Sequence, residues 1–87
     1  MPKPVIGKVF KSKNYIGYRF IVGQTENGDV HYDAYGYDGN YYGPGWCTPK
    51  SILMWAEREA TPEEIEALPL LAIAVATYRA EHPYPWS

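Results

Sequence analysis

His31 and Asp33 stand two residues apart, a spacing that on a β-strand puts both side chains on one face, where an imidazole and a carboxylate can act as a general-base pair. Catalysis also needs a nucleophile or a substrate pocket, and the sequence points to neither. A small enzyme using His31/Asp33 is therefore the third of three functional readings, and the chain is expected not to be an enzyme. Cys47 lies just before Thr48-Pro49, at the start of an expected helix, where a thiol can be acidified; a small buried hydrophobe is its simpler role. One cysteine allows no internal disulfide, and with only His31 and His82 as further soft donors a structural zinc site has too few ligands. Asp38-Gly39-Asn40 has the start of a calcium loop without its later oxygen ligands or closing Glu. No cofactor and no metal are expected.

The larger chemical signal is aromatic. Nine Tyr, three Trp and two Phe make 16% of an 87-residue chain, and tyrosine and tryptophan supply rigid, amphipathic contact area at low entropic cost. The same residues also favour strands and cross-strand pairs, so a binding surface and plain sheet packing are both open. Lys8, Lys11, Lys13 and Arg19 among tyrosines are the ingredients of single-stranded nucleic-acid binding, cations for phosphate and rings for stacking. Lysines that protect a sheet edge are the plainer alternative. Net charge is −2, which disfavours general nucleic-acid binding. The average hides an asymmetry: residues 1–25 hold five bases and no acid, and residues 26–87 hold all ten acids and three bases, which predicts a dipolar molecule.

These groups must be positioned by elements that the turn chemistry outlines. Asn27-Gly28 predicts a two-residue type I′ hairpin joining strands near 17–25 and 30–37, and Asp38-Gly39 a second reversal into Tyr41-Tyr42, before Gly43-Pro44-Gly45 ends the strand. Val5 to Lys11 has strand composition, with Ser12 to Tyr15 as connection. The first hairpin pairs positions summing to 55. One face then holds Tyr18, Phe20 and Val22 opposite Tyr37, Tyr35 and Asp33; the other holds Arg19, Ile21 and Gly23 opposite Gly36, Ala34 and Tyr32. The second face, rich in small residues, is where a helix is expected to pack, with Tyr32 beneath it. The first, extended by Tyr42, is expected to stay accessible. Candidate partner-binding residues are Tyr18, Phe20, Tyr35, Tyr37, Tyr42 and Trp46, with the acids Glu63 and Glu66.

Thr48-Pro49 and Thr61-Pro62 each offer an N-cap hydroxyl followed by Pro at the first helical position, and Glu64 completes a capping box with Thr61. Helices are predicted over 49–59 and 62–81, the second kinked or split at Pro69. Because 68–78 has few polar positions, burial on more than one side is expected. The tail His82-Pro83-Tyr84-Pro85-Trp86-Ser87 is expected to fold back.

The fold class read from this pattern is α+β: an antiparallel β-meander of three to four strands packed by two C-terminal helices, in one domain spanning 1–87. The N-terminus lacks a signal-peptide apolar run and 68–76 is too short to span a bilayer, so a cytoplasmic protein with no membrane partner is expected. The leading functional expectation is a small, non-catalytic protein-interaction module: a regulator or inhibitor of a larger protein or complex, such as a host nuclease or defence complex. Lone domains of this size are common among phages and mobile elements, an analogy from size alone. Glu57, Glu59, Glu63, Glu64 and Glu66 would then occupy a nucleic-acid site on the partner. Direct single-stranded nucleic-acid binding is the alternative, and a homodimer through an exposed aromatic face is open.

Overall fold

The structure is a computed structural model and describes residues 6–13 and 17–82; Val5, Tyr15 and the tail 83–87 lie outside them. Strands β1 (Val9–Ser12), β2 (Tyr18–Gln24), β3 (Val30–Tyr35) and β4 (Tyr41–Cys47) form an antiparallel meander. After helix α1 (Pro49–Trp55) the chain returns as β5 (Ala56–Glu59), antiparallel to β1, giving the sheet order β4-β3-β2-β1-β5. Helices α2 (Pro62–Glu66) and α3 (Pro69–Glu81) follow. The fold is α+β, with the sheet first and most of the helix at the C-terminal end.

Both hairpins have three-residue loops instead of the expected two. Thr25 N–H donates to Asp29 O and Gly28 N–H to Thr25 O; Gly36 N–H donates to Asn40 O and Gly39 N–H to Gly36 O. The left-handed residues of these loops are Gly28 (φ 89°) and Gly39 (φ 87°), and among the described residues none other than glycine has positive φ. That excludes the I′ turn, which needs Asn27 left-handed as well, and gives a type I turn closed by a glycine bulge. Register near the first turn moves by one residue, with Gly23 opposite His31, and a bulge between Ile21 and Gly23 moves it again, so that Tyr18 faces Tyr35 and Phe20 faces Asp33. Two odd residues of slip restore the original faces.

The helices cover the opposite face from the one expected. Val9, Tyr18, Phe20 and Tyr35 form one core with Ala60, Ile65, Leu71 and Val75, supplemented by Val22, Leu68, Ala74 and Tyr78. Phe20 is 2% exposed, and Tyr18 and Tyr35 are 6% exposed. The physical reason is area: large rings bury far more apolar surface against α3 than a glycine- and alanine-rich face can. Tyrosine hydroxyls do not prevent this, because Tyr18 Oη reaches out to Glu64 at 3.1 Å. The small-residue face is instead filled by side chains. Tyr32 lies on Gly45, where a Cβ would meet its ring at 2.6 Å, and the Arg19 guanidinium sits 4.9 Å from the Tyr32 ring and 4.3 Å from the Trp55 ring. Trp55 also meets Phe10 edge-on, so α1 caps this side with one indole.

The predicted helix over 49–59 stops at Trp55, where Ala56 turns extended. Residues 56–59 are strong helix formers, but β1 would otherwise present an unpaired edge, and its bases attract the acids: Lys11 Nζ lies 3.1 Å from Glu57 and Lys8 Nζ 3.8 Å from Glu59. Strand pairing overrides propensity, and the expected dipole is partly neutralised within the sheet. Residues 62–81 hold two helical segments, with Leu68 extended at φ −115°, ψ 99° before Pro69, as the residue before proline prefers. The Thr61–Glu64 capping box is complete, with bonds of 2.9 and 3.2 Å. Thr61→Ala is expected to lower stability by about 1 kcal/mol in urea titration, with no change in the slope.

Candidate functional site

α3 lies lengthwise over β2: its N-terminal end is at Leu68, whose side chain would touch a Cβ on Gly39, and near its other end Tyr78 Oη donates to Val22 O at 3.3 Å. On the same sheet face Tyr35 of β3 is still covered, but β4 and the His31 end of β3 are exposed. There Tyr41 lies opposite Tyr35 and Trp46 opposite His31. Tyr41 is 48% and Trp46 63% exposed, with the exposed Pro44 of the same strand opposite Asp33 between them. Pro44 is tolerated because β4 is an edge strand, where a missing N–H opens no ladder bond.

The aromatic surface is held in place by two carboxylates. Tyr41 Oη donates to Asp33 at 3.0 Å; partial burial and this bond raise the phenol's pKa. Tyr42 Oη donates to Asp38 at 2.6 Å. This bond and the Asn40 N–H at 2.9 Å lower the Asp38 pKa. The Tyr42 ring covers Gly36, whose Cβ, if present, would overlap it. Rings whose hydroxyls are tied to fixed acceptors lose little further freedom when a partner covers them.

Of the candidate residues, Tyr18, Phe20 and Tyr35 are core and not surface, a correction that follows from which face α3 covers. Tyr37, Tyr42, Trp46, Glu63 and Glu66 are exposed. Tyr37 does not extend the platform: its ring meets Tyr18 edge-on and its hydroxyl donates to Ser12 O at 3.3 Å, back toward β1. Tyr32 packs under Trp55 of α1 instead of under the long helix. Sequence reasoning missed Tyr41, which the three-residue loop places opposite Tyr35 where a two-residue turn would have put Tyr42; the bulge beyond that pair then shifts the register by one.

The groups with other candidate chemistry are engaged elsewhere. Asp33 accepts from Tyr41, beside an exposed His31 on an open sheet. Cys47 is half-buried opposite Val30. Asp38 closes its own turn, and no group of three metal-ligating side chains occurs among the described residues. Three of the five acids grouped above are neutralised internally: Glu57 by Lys11, Glu59 by Lys8 and Glu64 by Arg58 at 2.6 Å. Among the described residues no helix is long and apolar enough to cross a membrane. No family model, no curated protein and no solved structure matches the chain.

Proposed function

We propose that this domain is a non-catalytic protein-interaction module, a regulator or inhibitor that binds a larger protein through the uncovered β3–β4 face, with Trp46 and Tyr41 as anchors and Tyr42 at the margin. The observation that carries this reading is the exposure of two large rings on one face of the edge strand β4, opposite Tyr35 and His31, where the domain's own helices leave them bare. Trp and Tyr are the residues that dominate binding energy when a partner excludes water from them. A protein partner is favoured over nucleic acid because rings and cations are separated. The exposed rings are on β3–β4, whereas Lys8 and Lys11 are on the β1 side in pairs with Glu59 and Glu57, and Arg19 is stacked on the opposite face. A phosphate backbone laid across Trp46 would meet Asp33 and Asp38 instead of lysines.

The test is affinity capture from the native host, followed by binding to the purified partner with Trp46→Ala and Tyr41→Ala variants. Trp46→Ala is expected to leave the urea midpoint unchanged and Tyr41→Ala to lower it modestly through loss of the Asp33 bond and the Tyr35 ring contact; each is expected to weaken partner binding by about tenfold or more with the fold intact. Unchanged affinity in both would refute the assignment. Retention of a 20-nucleotide single strand in a low-salt gel shift, lost with Trp46→Ala, would favour nucleic acid instead.

A further inference from the structure

The opposite flank of α3 borders an open groove of about 470 Å³ between α2, α3 and the end of β5. Ala60, Ile65, Ala72, Val75 and Ala76 give it apolar walls, and Glu66 and Arg79 are among its polar lining groups. Ala72, Val75, Ala76 and Arg79 follow helical spacing along one side, a stripe about 10 Å long at 1.5 Å per residue. The two charges lie toward opposite ends: Glu66 ends α2 beside the start of α3, and Arg79 is in the last turn of α3.

Arg79 is set up in an unusual way. Its Nε and Nη2 both donate to Gly7 O, at 3.2 and 2.9 Å, which fixes the guanidinium plane through one of its two forks. In a chain with ten acids it forms no ion pair among the described residues, and the remaining Nη1/Nη2 fork has the geometry that takes a carboxylate bidentately. Glu59 also lines the groove but is paired with Lys8 at 3.8 Å, which leaves Arg79 as the lining cation with no carboxylate partner among the described residues. Glu66 makes no ion pair among the described residues, so the other end is negative. An apolar trough with a fixed cation at one end and an acid at the other complements an apolar chain terminus preceded by a basic residue.

We infer that this groove binds the C-terminal end of a partner polypeptide, with the terminal carboxylate on Arg79, an apolar last side chain on the Ile65–Val75 floor, and a basic residue three positions upstream at Glu66. At roughly 3.3 Å per extended residue, three residues span the 10 Å stripe. This site lies on the other flank of α3 from the Trp46 face and does not depend on that assignment.

The test uses fluorescence anisotropy of the full chain with N-terminally labelled Lys-Ala-Ala-Leu carrying a free carboxyl terminus. Saturable binding is expected, weakened about tenfold by amidating the peptide terminus and by Arg79→Gln. Glu66→Lys is expected to reverse the preference, binding Glu-Ala-Ala-Leu better than Lys-Ala-Ala-Leu. Should Arg79→Gln unfold through loss of the Gly7 contact, the acid-to-amide comparison on the unaltered chain and the Glu66→Lys reversal decide. Equal affinity for acid and amide, no reversal, displacement of the peptide by free leucine at equal concentration, or no binding at about 1 mM protein would each overturn the proposal. Trp46→Ala should leave peptide binding unchanged, so failure here and failure at the aromatic face read out separately.

Discussion

Phe20→Ala is expected to destabilise the domain by about 3–5 kcal/mol, the cost of deleting a fully buried ring and leaving its cavity. Phe20 is 2% exposed, faces Asp33 across the ladder, and meets the Tyr78 ring edge-on at 5.4 Å. For a domain of this length the whole stability is roughly 4–13 kcal/mol, so the variant should lose a large share of it and can unfold outright at 37 °C. The check is urea denaturation followed by far-UV circular dichroism, beside Trp46→Ala as the exposed aromatic control. The contrast tests where α3 sits within that assignment of faces: Phe20 and Trp46 share one side of the sheet, so a mild Phe20→Ala beside a severe Trp46→Ala would put α3 over β4 instead of β2. Tyr78→Phe offers a finer reading, since it keeps the ring contact and removes the hydroxyl with its bond to Val22 O.

That assignment of faces is where sequence reasoning failed, and the cause is the chemistry of tyrosine. The alternation 18-20-35 against 19-21-32 was legible and so were the residues sharing each face, since the slip at the first turn and the bulge at Val22 compensate. Which face turns inward was not, because a phenol serves either side. Tyr18 is core by its ring and surface by its hydroxyl, which ends on Glu64. Helix starts were legible because Thr48-Pro49 and Thr61-Pro62 carry local capping chemistry that needs no tertiary context. The end of α1 was hidden, because Ala56-Glu57-Arg58-Glu59 reads as helix and becomes strand only when the edge of β1 is available to pair. The apolar stretch of α3 predicted burial on more than one side, yet only Leu71 and Val75 are fully buried, and Leu70 and Ile73 face outward. For the candidate site, Trp46 and Tyr42 were visible from composition. Tyr41 and the Arg79 groove were not, since one depends on loop length and the other on helix packing.

Glu64 joins more of these elements than any other polar side chain described, and its replacement should show it. Its carboxylate takes Arg58 through both oxygens at 2.6 and 2.9 Å, the Thr61 N–H at 2.9 Å, and the Tyr18 hydroxyl at 3.1 Å. One side chain thereby ties β5, the α2 N-terminus and the core face of β2. Glu64→Ala removes all of this and leaves the Tyr18 hydroxyl part-buried without its acceptor, for an expected loss of about 2–3 kcal/mol. The Arg58 guanidinium first, and then the Thr61 N–H, hold the carboxyl well below the ordinary glutamate value of 4.5. With the folded value below the unfolded one, the charged form binds no extra proton until strongly acid pH, so the native state is favoured wherever the unfolded chain would be ionised. The contribution is complete above about pH 4.5, shrinks as pH falls from there, and vanishes below the depressed folded value. Urea midpoints measured from pH 7 to pH 2 should therefore fall more steeply below pH 4.5 for the native chain than for Glu64→Gln, which keeps the shape and loses the charge. Parallel pH profiles for the two proteins would mean that Arg58 and Tyr18 find other acceptors, and that Glu64 caps α2 without joining it to the sheet.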